Sequence, residues 1–360
     1  MKRLRAMKLM LVAIPVVCAA SVAFIDPVTA AIVFVCMAAA VCLAAGLLFY
    51  YIAISRKSDK SLIFAAPHNA QLFVRTKEDA QRKARHLLWR ERAIVEEVSI
   101  KSIDNLDLHA SIIQNKPNSR CWAVVCHGYA HIGKEYMMFI AQTFHEMGYW
   151  VLMPDARGHG KSGGEYIGMG WPDRMDVIQW VHEIGRRDYS ANIVLYGISM
   201  GAATVLMASG EPLPQTVKAV VADCGYNSAM KECAYQLKML FGLPPFPILH
   251  FASLITRIRA GYWLGEASAL RQIAKSETPI LLIHGSADTF VPPFMLEELY
   301  EAAVCPKQKL LVEGAGHGQS PLVDRTRYWQ TISDFLQIHD IPASNEADET
   351  PAFYVRSGGS

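Results

Sequence analysis

Three residues in one order carry the chemistry legible in this chain: a serine, then an aspartate, then a histidine. Ser199 lies in Val194-Leu195-Tyr196-Gly197-Ile198-Ser199-Met200-Gly201-Ala202-Ala203, an apolar strand pattern that runs through Gly-x-Ser-x-Gly into small residues of helical character. A serine on a sharp strand-to-helix turn sits in strained backbone. Glycines two residues either side remove side chains that would collide with the adjoining strand and helix. Gly-x-Ser-x-Gly arises by chance in roughly one chain of this length in ten at ordinary residue usage, so context decides its meaning. Asp288 closes Pro279-Ile280-Leu281-Leu282-Ile283-His284-Gly285-Ser286-Ala287-Asp288, and His317 follows Lys309-Leu310-Leu311-Val312-Glu313-Gly314-Ala315-Gly316. Both sit just past a short apolar strand. A serine hydroxyl is a poor nucleophile. It needs a base, here His317, and the base needs an acid, here Asp288, to fix its tautomer and stabilise its charge. Each residue also has a structural alternative: Ser199 as a turn residue, Asp288 as a helix cap before Pro292-Pro293, His317 as a loop histidine. Asp223, ending Val217–Ala222, is the rival acid.

These residues need strand ends to sit on. From Trp122 onward strand and helix patterns alternate: strands at 121–126, 149–153, 192–197, 217–223, 280–284 and 308–313, with helices at 135–147, 171–185, 200–209, 293–303 and 324–337. Such alternation implies an α/β fold with a mostly parallel sheet and helices on both faces. Residues 98–113, with Asn105 near the middle, read as an opening β-hairpin. In open α/β sheets, reactive residues gather outside the carboxyl ends of the strands. The interval between Asp223 and Ile280 is far longer than one crossover needs. It is rich in apolar and aromatic residues (Leu237–Leu249, Phe251–Leu264) and reads as a helical cap at about 225–275. Those residues either line an acyl pocket or bury the cap on the core.

The segments His127-Gly128-Tyr129, Asp155-Ala156-Arg157-Gly158-His159-Gly160-Lys161-Ser162, Gly197-Ile198-Ser199-Met200-Gly201, Asp288 with Val291-Pro292, and Gly316-His317 resemble the α/β-hydrolase superfamily. More narrowly, the chain is similar to membrane-anchored bacterial α/β hydrolases of the serine-aminopeptidase-like and lysophospholipase-like group, over about residues 95–338. The resemblance implies an eight-stranded α/β-hydrolase fold and the chain order nucleophile, acid, base. It also implies an oxyanion hole formed by the backbone N–H groups of Met200 and Tyr129. His127 is expected to brace its loop, and Asp155 and Arg157 to tie a tight loop beside the site. Glu135, Glu165, Asp173 and Asp176 read as helix-start or surface residues.

The implied activity is a serine hydrolase acting on a small-molecule or lipid-like acyl substrate, a carboxylesterase or lysophospholipase-like enzyme first. A serine aminopeptidase is the alternative, and it would need an acidic group placed to bind a free amine. A non-catalytic membrane-anchored interaction module is the alternative of another class. No cofactor or metal is expected. Cys18, Cys36, Cys42, Cys121, Cys126, Cys224, Cys233 and Cys305 have no metal spacing and suggest no disulfide framework.

The chain has 360 residues, 35 basic and 33 acidic, for a net charge of +2. Residues 1–60 hold seven basic and two acidic residues, so the remainder carries −3, which argues against a nucleic-acid partner. Leu9–Ile25 is free of charge for 17 residues and Val28–Ile54 for 27. At 1.5 Å per residue the second spans about 40 Å and the first about 26 Å, against a ~30 Å hydrocarbon core. Residues 1–60 are therefore expected to be a membrane segment with helices at about 9–25 and 28–54. A connector (61–95), the catalytic domain (96–338) and a polar tail (339–360) follow. If Asp26-Pro27 turns a helical hairpin, both basic flanks stay inside and the catalytic domain is cytoplasmic. If residues 1–25 are signal-like, or one helix leads outward, it is extracytoplasmic. The basic residues after the apolar run either meet anionic headgroups of membrane lipid or form a solvated face.

Overall fold

A computed structural model of the protein describes residues 26–60, 63, 86–131 and 134–341. The expected first span at 9–25, most of the 61–95 connector, the tail from residue 342 and the Glu135 side chain lie outside them. Eight strands form one sheet: β1 Val95–Lys101, β2 Asp107–Ile113, β3 Cys121–Cys126, β4 Trp150–Pro154, β5 Asn192–Ile198, β6 Val217–Asp223, β7 Ile280–Gly285 and β8 Lys307–Val312. Their spatial order is β1-β2-β4-β3-β5-β6-β7-β8. β1, β2 and β4 pair antiparallel, and every pairing from β4 through β3 to β8 is parallel. This is the expected mostly parallel sheet, with the hairpin at its antiparallel edge.

Strands β3 and β7 are buried along their whole length, as continuous apolar runs in a doubly covered sheet should be. The two-residue period still sorts their side chains. Trp122, Val124 and Cys126 of β3 face one core, while Cys121, Ala123 and Val125 face the other. The second core is closed by α2 (Lys134–Glu146) and by α10 (Arg325–Ile338), through residues such as Phe144, Trp329 and Phe335. The first is closed by α3 (Asp173–Arg187), α4 (Met200–Ser209) and α8 (Phe294–Ala302), with Trp180, Val205 and Leu296 at the contact. All ten residues of α4 are buried, which explains its small, uncharged composition. A short helix, α9 (Ser320–Val323), precedes α10.

Residues 224–279 form the insertion, with α5 (Ala229–Phe241), α6 (Ile248–Ala260) and α7 (Ala269–Ile273). Ser228 caps α5 by accepting from Lys231 N–H, and Gly242 and Gly261 end α5 and α6 in left-handed conformation.

At the amino-terminal side, α1 spans Pro27–Phe49 and continues as a π-turn through Tyr50–Ile54. Asp26 Oδ1 accepts from Val28 and Thr29 N–H, each at 3.1 Å, and Pro27 occupies the first turn, where its missing N–H is harmless. Among the described residues Pro27–Ile54 is the helix long and apolar enough to cross a membrane, with mean hydropathy 2.8. Its carboxyl-terminal half does not stand apart from the rest. Gly46, Tyr50 and Ile54 are buried, and α1 packs along α6. A Cβ on Gly46 would come within 2.7 Å of Phe251 Cβ and 2.9 Å of Ala252 N, so only glycine permits this approach.

Beyond the π-turn the chain is stitched to the loops that follow β4. Ile167 N–H donates to Ile54 O and Arg56 N–H to Glu165 O. The Arg56 guanidinium donates to the carbonyls of Gly160, Ser162 and Gly164. Lys60 Nζ donates to the carbonyls of Ile52 and Ser55, and its burial lowers its pKa to about 8.

Candidate active site

Ser199 terminates β5 and caps α4 with φ 55° and ψ −117°. A side-chain-bearing residue held at positive φ stores strain, and it persists where the surroundings over-determine it. Here the determinants are explicit. A Cβ at position 197 would lie 2.2 Å from Gly201 O, and one at 201 would lie 2.2 Å from Cys126 O. Ser199 N–H donates to Asp223 O at 2.8 Å, which ties the turn to the end of β6.

The loops after β7 and β8 bring the other two residues in. His317 Nε2 lies 2.8 Å from Ser199 Oγ, and His317 Nδ1 lies 2.7 Å from Asp288 Oδ2. A carboxylate only accepts, so Nδ1 carries the proton and Nε2 is free to accept from the serine hydroxyl. Asp288 is itself held by Phe290 and Val291 N–H on Oδ1. Burial would raise the Asp288 carboxyl. The His317 and His284 charges and hydrogen bonds outweigh that and hold it well below the usual carboxylate range. The structure thus brings Ser199, His317 and Asp288 into one hydrogen-bonded line. Asp223 is beside the site, but its carboxylate does not bond His317: Tyr328 donates to its Oδ2 at 3.0 Å, and burial pushes its pKa up to about 6.

A second histidine was not singled out from sequence. His284 is fully buried, and its Nε2 lies 2.9 Å from Val291 O and 3.2 Å from Asp288 Oδ2. Both neighbours accept, so Nε2–H donates to both. Burial opposes charge on His284, but Asp288 overrides it and raises its pKa. The available signal was its place in β7, four residues before the acid.

Tyr129 and Met200, the expected oxyanion residues, sit on the loop after β3 and at the first position of α4. Gly128, beside Tyr129, runs directly against the serine: a Cβ there would lie in contact with Ser199 Cβ at 3.4 Å. Two histidines clasp this loop to the one after β4. Ala156 N–H donates to His127 Nε2 at 3.0 Å, and Ala130 N–H donates to His159 Nε2 at 3.1 Å. Each ring donates from Nδ1 to a backbone carbonyl, Gly128 O and Arg157 O respectively, so both are neutral Nδ1–H tautomers. His127 therefore braces its loop, and His159 does the same from the other side. Behind them buried Arg157 forks onto Asp176 at 2.7 and 2.8 Å and reaches Asp104 at 2.8 Å. This corrects the surface reading of Asp173 and Asp176. Both are buried in the first turn of α3, and burial pushes Asp173 up to about 7. Glu165 is on the surface and pairs with Lys57 at 2.8 Å.

A cavity of about 320 Å³ opens over Ser199. Tyr129, Met169, Tyr226 and Phe290 form its floor, and Cys233, Leu237 and Phe241 of α5 form one wall. A further wall is α1, through Val41, Ala44, Ala45, Leu48 and Phe49, continued by Ile52 of the π-turn. Tyr129 ties the loop after β3 to the π-turn that follows α1, because its hydroxyl donates to Ala53 O at 2.6 Å. One carboxyl lines this apolar space. Glu232 is buried; its Oε1 accepts from Gln236 Nε2, its Oε2 has no partner, and burial raises its pKa to about 8. Neither Glu232 nor the α1 wall was assigned to the site from sequence. Nothing in spacing marks Glu232. Gly46 amid a long apolar run was the one sign that something approaches α1 closely.

Among the described residues, one group has donor atoms clustered closely enough for a metal: Cys224 Sγ with Asp288 and His317, within 4.8 Å of one another. Burial holds the Cys224 thiol protonated, and the other two groups bind each other.

The sequence pattern of the family described as "Serine aminopeptidase, S33" matches residues 117–240. A Bacillus subtilis protein named "Uncharacterized protein YqkD" is 31% identical over 214 residues, covering 59% of this chain and 70% of that protein. The chain belongs to the α/β-hydrolase superfamily. Within it, a Saccharomyces cerevisiae protein named "Uncharacterized membrane protein YNL320W" is 25% identical over 244 residues, covering 67% of this chain and 79% of that one. The solved structure of the Pyrococcus furiosus esterase Pf2001 matches with TM-score 0.57 and 25% identity, covering 70% of this chain and 95% of that one. The α/β-hydrolase scaffold hosts many chemistries, and these likenesses place the chain among esterase-like and peptidase-like hydrolases.

Proposed function

We propose that the protein is a membrane-associated serine hydrolase that cleaves the ester bond of a lipid-like acyl substrate. The observation that carries this reading is the line from Ser199 Oγ through His317 to Asp288, at 2.8 and 2.7 Å, beneath an apolar cavity. In the proposed cycle His317 Nε2 takes the Ser199 proton as Oγ attacks the carbonyl carbon. The oxyanion rests on the Tyr129 and Met200 N–H groups. His317 then passes the proton to the departing alcohol and leaves an acyl ester on Ser199. Water, deprotonated by the same histidine, attacks that ester; the C–Oγ bond breaks, His317 returns the proton to Ser199 Oγ, and the carboxylic acid leaves. Asp288 keeps the imidazole in the Nδ1–H tautomer throughout. Residues 96–338 form the catalytic domain in this reading, with residues 225–275 as its cap and Pro27–Ile54 as its membrane element. Arg56, Lys57 and Lys60 follow that element directly, so the positive-inside rule favours a cytoplasmic catalytic domain.

One observation favours a second reading. The unpartnered Oε2 of Glu232 is an acidic group in the pocket of the kind an aminopeptidase needs to bind a free amine. A panel on purified full-length protein separates the two: p-nitrophenyl esters of increasing chain length against aminoacyl p-nitroanilides, each with Ser199→Ala as control. Ester turnover that rises with chain length and vanishes in Ser199→Ala supports the esterase. Turnover of the anilides alone, lost in Glu232→Gln, replaces it with the aminopeptidase.

A further inference from the structure

The depth at which α1 meets the cap fixes where the pocket opens. Pro27 to Ser55 carries no charged residue, and Arg56, Lys57 and Lys60 follow at once. Tyr50 and Tyr51 stand just before them, where an interfacial aromatic belt belongs. Pro27 to Tyr50 rises about 36 Å, which suits a ~30 Å core with its boundary near Tyr50. The cap does not wait below that boundary. Gly46 touches Phe251 and Ala252, about 6 Å further into the core, and the pocket-lining Val41 lies about 13 Å further in. If contact with α6 began only past Tyr50, the domain would hang below the membrane. It begins well above.

The cap is built for that depth. Met239 to Thr256 contains no Asp, Glu, Lys or Arg. Its tip, Leu243-Pro244-Pro245-Phe246-Pro247, has three prolines, which bring no N–H groups to leave unsatisfied in hydrocarbon. Phe246 is 69% exposed, and Leu254 and Ile258 continue the i, i+3, i+7 stripe that starts at Phe251, with Ile258 74% exposed. Basic residues bracket the apolar stretch, Lys238 before it and Arg257 and Arg259 after it. Arg259 lies 5.8 Å from the Tyr50 ring, level with the end of α1. Two apolar elements side by side, each ending in cations at the same level, match a leaflet whose headgroups are anionic. Such an exposed apolar surface is otherwise unfavourable in water. Ala44 and Leu48 line the pocket and are also exposed, so the pocket wall runs out onto the lipid-facing side of α1.

We propose that the cap tip lies within the lipid leaflet beside α1, and that the pocket receives the acyl chain of a leaflet lipid sideways past Ala44 and Leu48. The membrane helix is then one wall of the acyl site. This rests on the serine hydrolase reading only for what happens to the chain after it enters.

Two measurements on full-length protein in vesicles of zwitterionic and anionic phospholipid test it. In a Phe246→Trp variant, lipids brominated on their acyl chains are expected to quench the added emission, and aqueous iodide to leave it. The reverse pattern would overturn the insertion. In an Ala44→Trp variant, the kcat/KM ratio for a vesicle-borne long-chain ester over a soluble acetate ester is expected to fall about tenfold. An unchanged ratio would overturn sideways entry. Fluorophosphonate labelling of Ser199 in the unmodified protein is scored alongside. Its absence would sink the hydrolase reading and leave the quenching result standing.

Discussion

Two regions meet at Ser199 and are built on opposite principles. At the carboxyl edge of the sheet, the groups around Ser199 have named partners: His317 on Asp288, Asp288 on His284 and two backbone N–H groups, and two neutral histidines clasping the loop that carries Tyr129. Across the cavity, α1 and α5 line the space with interchangeable apolar side chains and few polar atoms. The first region tolerates little change in residue type, because a proton path needs one donor and one acceptor at each step. The second tolerates much change in type and little in shape, because packing depends on volume.

Breaking the polar region should give the largest effects. Ser199→Ala is expected to lower kcat about 10⁴-fold or more while the thermal unfolding curve stays in place, read by ester turnover on purified protein. Asp288→Asn should lower kcat about 10⁴-fold by favouring the wrong imidazole tautomer, while Asp223→Asn, bonded to Tyr328 and not to His317, should lose far less. The opposite ranking would give the acid's role to Asp223.

Breaking the apolar region should be milder and of another kind. Gly46→Leu pushes a side chain into Phe251 and the backbone at Ala252, so α1 must shift from α6. A destabilisation of about 1–3 kcal/mol is expected from such overpacking, read as a lower unfolding midpoint in detergent. Ser199 should still accept a fluorophosphonate. An unchanged midpoint would mean that α1 is not docked on the cap.

The one carboxyl lining that region gives an effect of a different kind, read as a change of stability with pH. Folded Glu232 keeps its proton up to about 8, whereas the unfolded chain releases it near the ordinary 4.5. The folded state therefore binds the extra proton across that window, and stability falls as pH rises from about 4.5 to about 8. Glu232→Gln has no proton to lose, so its midpoint should gain on wild type as pH rises and match it most closely near pH 4.5. A difference independent of pH would show that Glu232 is solvated.

The same contrast explains what could be read in advance. Gly197, Ser199 and Gly201 were legible because a positive-φ serine between two close backbone approaches leaves no other residue choice. The central strands β3, β5 and β7 were legible because doubly covered strands must be near-continuous apolar runs. His284 was not, because a buried histidine on an apolar strand looks like core until its partner four residues on is seen to face it. Asp173 and Asp176 looked like helix-start acids, and only the fold brings Arg157 to them. The α1 wall was hidden for a simpler reason. An uncharged helix of 28 residues satisfies a bilayer and a protein surface equally well, and sequence cannot say how many of its residues face each.

The central claim is that Ser199 is the nucleophile at the foot of a pocket walled by the membrane helix. A fluorophosphonate probe with a long alkyl chain, reacted with full-length protein in vesicles and followed by peptide mass analysis, tests it most directly. The expected result is one adduct, on Ser199, formed faster than with a short-chain probe and absent in Ser199→Ala. An adduct on another residue, or ester turnover that survives in Ser199→Ala, would contradict it.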